Sequence, residues 1–141
     1  MITYVDTSTL VKLLIDEAGT VEAAMIWDEA DSLVTFRVAH VEARAARAAA
    51  ERRRRISADG LRDALEGLEV VWSQLSVVEL DEDLMRLAGD LAEAHGLRGY
   101  DALHLAAARL VGAEVFSSAD RHLCEAASAS GFHIANPIDT A

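Results

Sequence analysis

The chain has 141 residues, is 52% hydrophobic and carries a formal net charge of −11. That length is most simply one domain spanning 1–141, large enough to bury a core, and the composition excludes a disordered polar chain. The acidic balance excludes a generally basic nucleic-acid-binding surface, and no apolar run approaches the roughly 20 residues of a membrane span.

The single cysteine, Cys124, excludes an internal disulfide and fits a reducing compartment. Cys124 reads as inert core, with only His122 as a nearby basic group. The N-terminus lacks a basic stretch followed by an apolar one, so a cytoplasmic location is expected. The one concentrated basic feature is Arg52 to Arg55, with Arg44 and Arg47 upstream. Cations at a helix end also suit the helix dipole, so a solvated helix terminus explains the run as well as a phosphate-facing patch does.

Strand and helix patterns alternate along the chain. Residues 2–5 (Ile-Thr-Tyr-Val) read as a short buried strand, and 7–16 as a helix with Leu10, Leu13 and Leu14 on one side. Gly19 breaks that helix, and 20–30 form another. A strand over 32–35 precedes a long helix over 36–54, and Ser57 caps a helix running to about Glu69. Residues 76–80 read as a strand, 81–95 as a helix stopped by Gly96, and 100–111 as a helix stopped by Gly112. A strand over 114–117, a helix over 122–129 and a strand over 132–135 complete the series, and Pro137 opens the tail. Strands separated by helices imply a mainly parallel sheet covered on both faces, a three-layer α/β/α sandwich.

Ligands of such folds bind beyond the carboxyl ends of the strands, near the point where strand order reverses. Four acidic residues fall where this rule makes them interesting. Asp6 ends the first strand, Asp120 follows the 114–117 strand, Asp101 opens a helix expected at the same edge, and Glu42 interrupts an Ala/Arg helix. At about 100° per residue, Val38, Ala45, Ala46 and Ala49 lie within about 60° of Glu42, which therefore projects from the buried stripe of its helix. A carboxylate there must be paired, protonated or bound to metal.

Taken singly, Asp6 and Asp120 are also good N-caps, and Asp101 suits a first helical turn. Together, four converging carboxylates suit a hard divalent cation, Mg²⁺ or Mn²⁺, and hence metal-dependent chemistry on phosphates. His104 reads as a hydrogen-bonded core histidine rather than a ligand. Ser8 and Ser118 stand where they can orient water or phosphate, or serve ordinary turns. Without metal the clustered charges should be strained, so that Asp101→Asn or Glu42→Gln raises the melting temperature. The first two helices carry more apolar residues than one core face needs (Leu10, Val11, Leu14, Ile15, Met25, Ile26, Trp27), which suggests a groove for a partner segment.

The strings Val5-Asp6-Thr7-Ser8-Thr9-Leu10-Val11-Lys12-Leu13, Tyr100-Asp101-Ala102-Leu103-His104-Leu105-Ala106 and Ser117-Ser118-Ala119-Asp120-Arg121-His122-Leu123 resemble the three signature segments of PIN domains. The resemblance is closest to VapC-type ribonuclease toxins of prokaryotic toxin–antitoxin pairs, and Glu42, in Ala39-His40-Val41-Glu42-Ala43, matches that family's acidic residue on its third helix. It spans essentially the whole chain. It implies a PIN-like sandwich, a Mg²⁺- or Mn²⁺-dependent endoribonuclease, a homodimer and a cognate VapB-like antitoxin. It also implies Asp6, Glu42, Asp101 and Asp120 as the metal and catalytic set, with Ser118 at a position often Ser or Thr.

Two alternatives remain on the sequence. One is a PIN-like domain that only binds a partner. The other is a Mg²⁺-dependent phosphatase, which would want a second Asp where this chain has Ser8. A phosphoacceptor receiver domain needs a late lysine, and the only lysine is Lys12.

Overall fold

In the computed structural model, which describes residues 1–139, twelve elements alternate as the sequence suggests. The last two residues of the expected domain lie outside that range. Strand β1 (Ile2–Val5) leads into the short helix α1 (Thr7–Lys12), then α2 (Thr20–Glu29), β2 (Ser32–Phe36), α3 (Val38–Arg52) and α4 (Ala58–Ser73). The second half runs β3 (Ser76–Val78), α5 (Glu82–His95), α6 (Gly99–Leu110), β4 (Val115–Ser117), α7 (Arg121–Ala129) and β5 (His133–Ala135).

The five strands form one sheet in the order β3-β2-β1-β4-β5, and every pairing is parallel. β1 is central and is followed in sequence by elements on its β2 side. The chain reaches β4, on its other side, only after α6. The reversal of strand order therefore falls between β1 and β4, whose register pairs Val5 with Ser117. Strands flanked on both sides and both faces need continuous apolar or internally satisfied side chains. Tyr4, Val5, Val34, Phe36 and Phe116 meet that need by burial. Thr35 meets it by donating its hydroxyl to the Val5 carbonyl at 2.7 Å.

Two apolar clusters lie on opposite sides of the sheet. One joins Tyr4, Val34, Phe36 and Phe116 to Leu84, Leu91, Leu105 and Leu123 of α5, α6 and α7, with the Tyr4 and Phe116 rings stacked at 5.3 Å. The other joins Leu10, Val11 and Ile15 to Ala39, Ala43 and Ala50 of α3 and to Ala64 and Leu68 of α4. The α/β/α layering follows.

The differences from the sequence expectation are local. α1 stops at Lys12 rather than continuing to Asp16, because Thr20 offers the chain an alternative set of bonds: its hydroxyl donates to the Ile15 carbonyl and accepts from the Glu17 amide. Gly19, at φ 91°, makes the turn into α2. α4 continues past Glu69 to Ser73, where Val71 and Trp72 still pack on the second cluster. Phe36 belongs to β2 rather than to the following helix and is 1% exposed.

Phe116 anchors the first cluster from a central strand and is fully buried. Phe116→Ala should lower the unfolding free energy by about 3–5 kcal/mol, the usual cost of truncating a core aromatic, as measured by urea denaturation.

Candidate active site

The turn after β1 begins the site. The Asp6 amide donates to the Ser117 carbonyl at 3.0 Å, holding the ends of β1 and β4 together one residue beyond their ladder. The Asp6 side chain caps α1 through the Thr9 amide (3.2 Å). Its two oxygens also accept from the hydroxyls of Ser8 and Ser118, each at 2.6 Å. Ser118 is completely buried behind Asp6, and its oxygen also accepts from the Asp120 amide. Ser8 accepts from the Ala119 amide at 2.8 Å, so the two serines tie the loops after β1 and β4 to one carboxylate.

Asp120 caps α7 through the Leu123 amide at 3.1 Å. Asp101 lies in the first turn of α6 with its side chain 26% exposed, 3.7 Å from the Arg98 guanidinium. The capping roles open to Asp6 and Asp120 are thus real, and both residues still face the same space as Asp101.

That space is an open cavity of about 360 Å³ lined by Asp6, Thr7, Ser8, Val11, Lys12, Glu17, Glu42, Ala46, Asp101, His104 and Asp120. All four acidic residues singled out in the sequence reach it, with Ser8. Ser118 stands behind Asp6 rather than in the wall.

Glu42 sits differently from the helical projection. The buried positions of α3 are Ala39, Ala43 and Ala50, about 60–100° around the helix from it. Glu42 therefore lies at the edge of the buried stripe, 31% exposed, and leans into the cavity. Its partner is a histidine rather than an arginine. Oε1 accepts from His104 Nε2 and from the Thr7 hydroxyl, both at 2.7 Å. A carboxylate only accepts, so Nε2 carries the hydrogen; in the neutral ring Nδ1 then accepts from the Tyr4 hydroxyl at 2.6 Å. His104 is 2% exposed and fully engaged by this chain, the core histidine expected.

The acidic groups fall into two electrostatic regimes. Burial pushes the Asp6 carboxyl above its ordinary range, and the nearby His104 and the serine hydroxyls only partly offset this. Asp101 is also pushed up, first by burial and then by the charges of Asp120 and Asp6. Glu42 goes the other way: burial works against its charge, but the His104 and Thr7 hydrogen bonds outweigh it and hold the carboxyl below the usual range. Burial and the Asp6 charge push the Cys124 thiol up to about 11, in keeping with an inert core residue.

Among the described residues, no three His, Cys, Asp or Glu side chains are gathered closely enough to hold a metal ion unaided. The donors still suit a hard cation. They are all oxygens, the one histidine is occupied elsewhere, and Asp6, Asp101 and Asp120 repel one another in a way a cation relieves. Mg²⁺ typically keeps several waters and takes only one or two carboxylates directly, so a loose oxygen set is compatible with it.

Lys12, Glu17, Thr7 and His104 are cavity residues that sequence reasoning did not place there. His104 was traceable from Asp101, three residues earlier on one helix face. Lys12 followed an apolar run and gave no such sign.

Residues 3–129 match the PIN domain family. The chain is 42% identical over 134 residues to ribonucleases VapC45 and VapC49, from two strains of Mycobacterium tuberculosis, covering 94% of this chain and 93% of each relative. Among solved structures it resembles VapC20 of M. tuberculosis, a sarcin-ricin loop cleaving toxin, with a TM-score of 0.69 and 22% identity over 92% of this chain and 95% of that one. It also resembles a chain of a toxin–antitoxin complex from Klebsiella pneumoniae, with a TM-score of 0.61 and 16% identity over 84% of this chain and 86% of that one. The match over most of its length to the family and to these relatives means that the chain belongs to the PIN-domain family, among the VapC ribonucleases.

Proposed function

We propose that this protein is a Mg²⁺- or Mn²⁺-dependent endoribonuclease of the cytoplasm, the toxin of a VapBC-type pair, and that Asp6, Glu42, Asp101 and Asp120 form its catalytic site. The observation that carries the assignment is the convergence of the four carboxylates on one cavity at the point where strand order reverses. Divalent-metal dependence is general among PIN-domain ribonucleases. Asp6 and Asp101 are the first choice as metal ligands, and Asp120 and Glu42 complete the site directly or through water.

When bound, the cation orients water, lowers its pKa and offsets charge building on the phosphate in the transition state. The chain's own residues supply the remainder. Ser8 and Ser118 donate to the two oxygens of Asp6 and hold its carboxylate in place at the cavity wall. His104 and Thr7 hold Glu42 ionised and oriented beside it, as an acceptor for a proton or a water hydrogen. The phosphatase alternative lacks its second acid, since Ser8 occupies that position and donates to Asp6.

Purified protein should cleave RNA with Mg²⁺ or Mn²⁺, and EDTA should abolish cleavage. Asp6→Asn or Asp101→Asn should lower the rate by at least about 10²-fold, the scale of losing one charge-stabilising group. Cleavage at the wild-type rate by both variants refutes the site.

A thermal melt in EDTA separates the two regimes. A carboxyl whose folded pKa is raised holds its proton more tightly in the folded chain. Its contribution favours folding as pH falls through the raised value and is fully adverse above it. Asp101→Asn removes such a group and should raise the melting temperature at neutral pH by a few degrees, while reducing the further rise on adding Mn²⁺. Glu42 has a lowered pKa, so its charge stabilises the fold above the ordinary carboxylate range and that gain is lost as pH falls. Glu42→Gln should therefore lower the melting temperature, the reverse of the sequence-based expectation. The same sign for both variants contradicts this division.

The toxin reading adds a VapB-like antitoxin and self-association as a homodimer. The apolar surplus of the first two helices is smaller than the sequence suggests: Leu10, Val11 and Ile15 are buried, and Leu14, Ile26 and Trp27 are half-buried. Met25 (54% exposed) remains, joined by Val21 (69%) on the same helix. A small protein encoded beside this one should bind it and suppress cleavage. Val21→Glu and Met25→Glu should weaken that complex in a pull-down without lowering the melting temperature. If the neighbouring product neither co-purifies nor inhibits, the antitoxin part fails and the nuclease part stands.

A further inference from the structure

The cavity holds five carboxylates, Asp6, Glu17, Glu42, Asp101 and Asp120, and one ammonium, Lys12. Lys12 is the chain's only lysine and is 8% exposed, at the C-terminal end of α1. A lysine held so far from water is unusual, because long cationic side chains normally reach for solvent. Its stem is fixed by the turn that follows: a Cβ added at Gly19 would stand 3.1 Å from Lys12 Cδ.

The head group is fixed by Glu17, whose Oε1 accepts from Lys12 Nζ at 3.0 Å. The other oxygen of Glu17 accepts from Arg55 Nη2, also at 3.0 Å. Two cations thus share one carboxylate, and the group of three carries one net positive charge at the wall of an otherwise anionic cavity. If Lys12 served only to neutralise Glu17, the Arg55 contact would be redundant. With Arg55 in place, Glu17 stays compensated when Lys12 turns away.

We infer that Lys12 is a substrate-binding residue whose ammonium leaves Glu17 to contact an RNA phosphate at the active site, with Arg55 compensating the Glu17 carboxylate it leaves. The assignment rests on the ribonuclease reading and adds to it the group that takes up negative charge which the acidic residues cannot. An ammonium is a compact donor suited to a single phosphate oxygen. Arg55, the last of the basic run Arg52 to Arg55, makes this contact while half exposed, so a phosphate chain leaving Lys12 past Glu17 meets a guanidinium group.

The test measures binding of a fluorescein-labelled single-stranded RNA of mixed sequence by anisotropy, with Mg²⁺ present, in the slow-cleaving Asp101→Asn background. Lys12→Met keeps the stem and removes the charge. It should weaken binding by about tenfold, the scale of one charged hydrogen bond. It should also reduce the salt dependence of log Kd by about 0.7, the share of one phosphate contact on a single strand. Lys12→Arg should restore the salt dependence. Glu17→Gln frees the ammonium and removes a competing anion, so it should tighten binding; a purely structural ion pair predicts loss in both variants.

Wild-type affinity and salt dependence in Lys12→Met, or weakened binding in Glu17→Gln, overturns the inference. If Lys12→Met fails to fold, the sign of the Glu17→Gln effect decides alone. Failure of the parent protein to cleave RNA with metal sinks the ribonuclease reading instead, and cleavage with no Lys12 effect on binding sinks only this assignment.

Discussion

The structure depends on the burial of one charged group. Asp6 is 5% exposed at the end of the central strand, where an ionised carboxylate loses most of its hydration. The chain compensates with every donor in reach: the Thr9 amide, the Ser8 hydroxyl and the Ser118 hydroxyl. Those donors come from α1 and from the loop after β4, so satisfying Asp6 also closes the edge of the sheet at the β1–β4 reversal. Even so, burial leaves the carboxyl above its ordinary range. The fold has built a position whose remaining need is for positive charge, and the open side of Asp6 faces the cavity.

Glu42 meets the same cavity under the opposite constraint. Its charge is stabilised by a chain that runs back into the core through His104 to Tyr4, whose burial keeps the phenol protonated. Pairs of titratable groups held in opposing environments mark sites where different tasks are divided between similar side chains. Here the division sets Asp6 and Asp101, which gain from a cation, against Glu42, which is charged and oriented without one. The central sheet produces both, since β1 supplies Tyr4 and leads straight into Asp6 two residues later, a spacing that keeps the two on one side of an extended chain.

Most of the architecture was legible because its signals are local. The apolar strand ahead of Asp6, the Ser57 cap and the left-handed Gly96 all act within a few residues, and each marks a boundary to within a residue or so. The end of α1 was not legible, because the bonds that stop it come from the side chain of Thr20, eight residues past its last turn. Glu42 was legible as an anomaly but not as a geometry. A helical projection ranks apolar neighbours, whereas the packing of α3 on α1 and α4 selects Ala39, Ala43 and Ala50 as its contact line. The Glu42–His104 pairing spans 62 residues and depends on the sheet bringing α3 and α6 to one edge. Lys12 left no trace, since a lone lysine between Val11 and Leu13 inside an expected helix over 7–16 gives no sign of a polar partner.

The acidic balance of the chain then acquires a mechanistic sense. A surface with a net charge of −11 repels nucleic acid at long range, so affinity for RNA must come from few contacts. The cations are unevenly spread: Arg44, Arg47, Arg52 to Arg55 and Arg62 all belong to the α3–α4 region, and Arg55 reaches the cavity wall through Glu17. A chain arranged in this way gains little from a random phosphate backbone lying across its surface. It gains most from a strand placed to meet the α3–α4 cations and the cavity they border together. Such an enzyme discriminates by requiring simultaneous engagement, and weak general affinity is then part of how it selects its substrate.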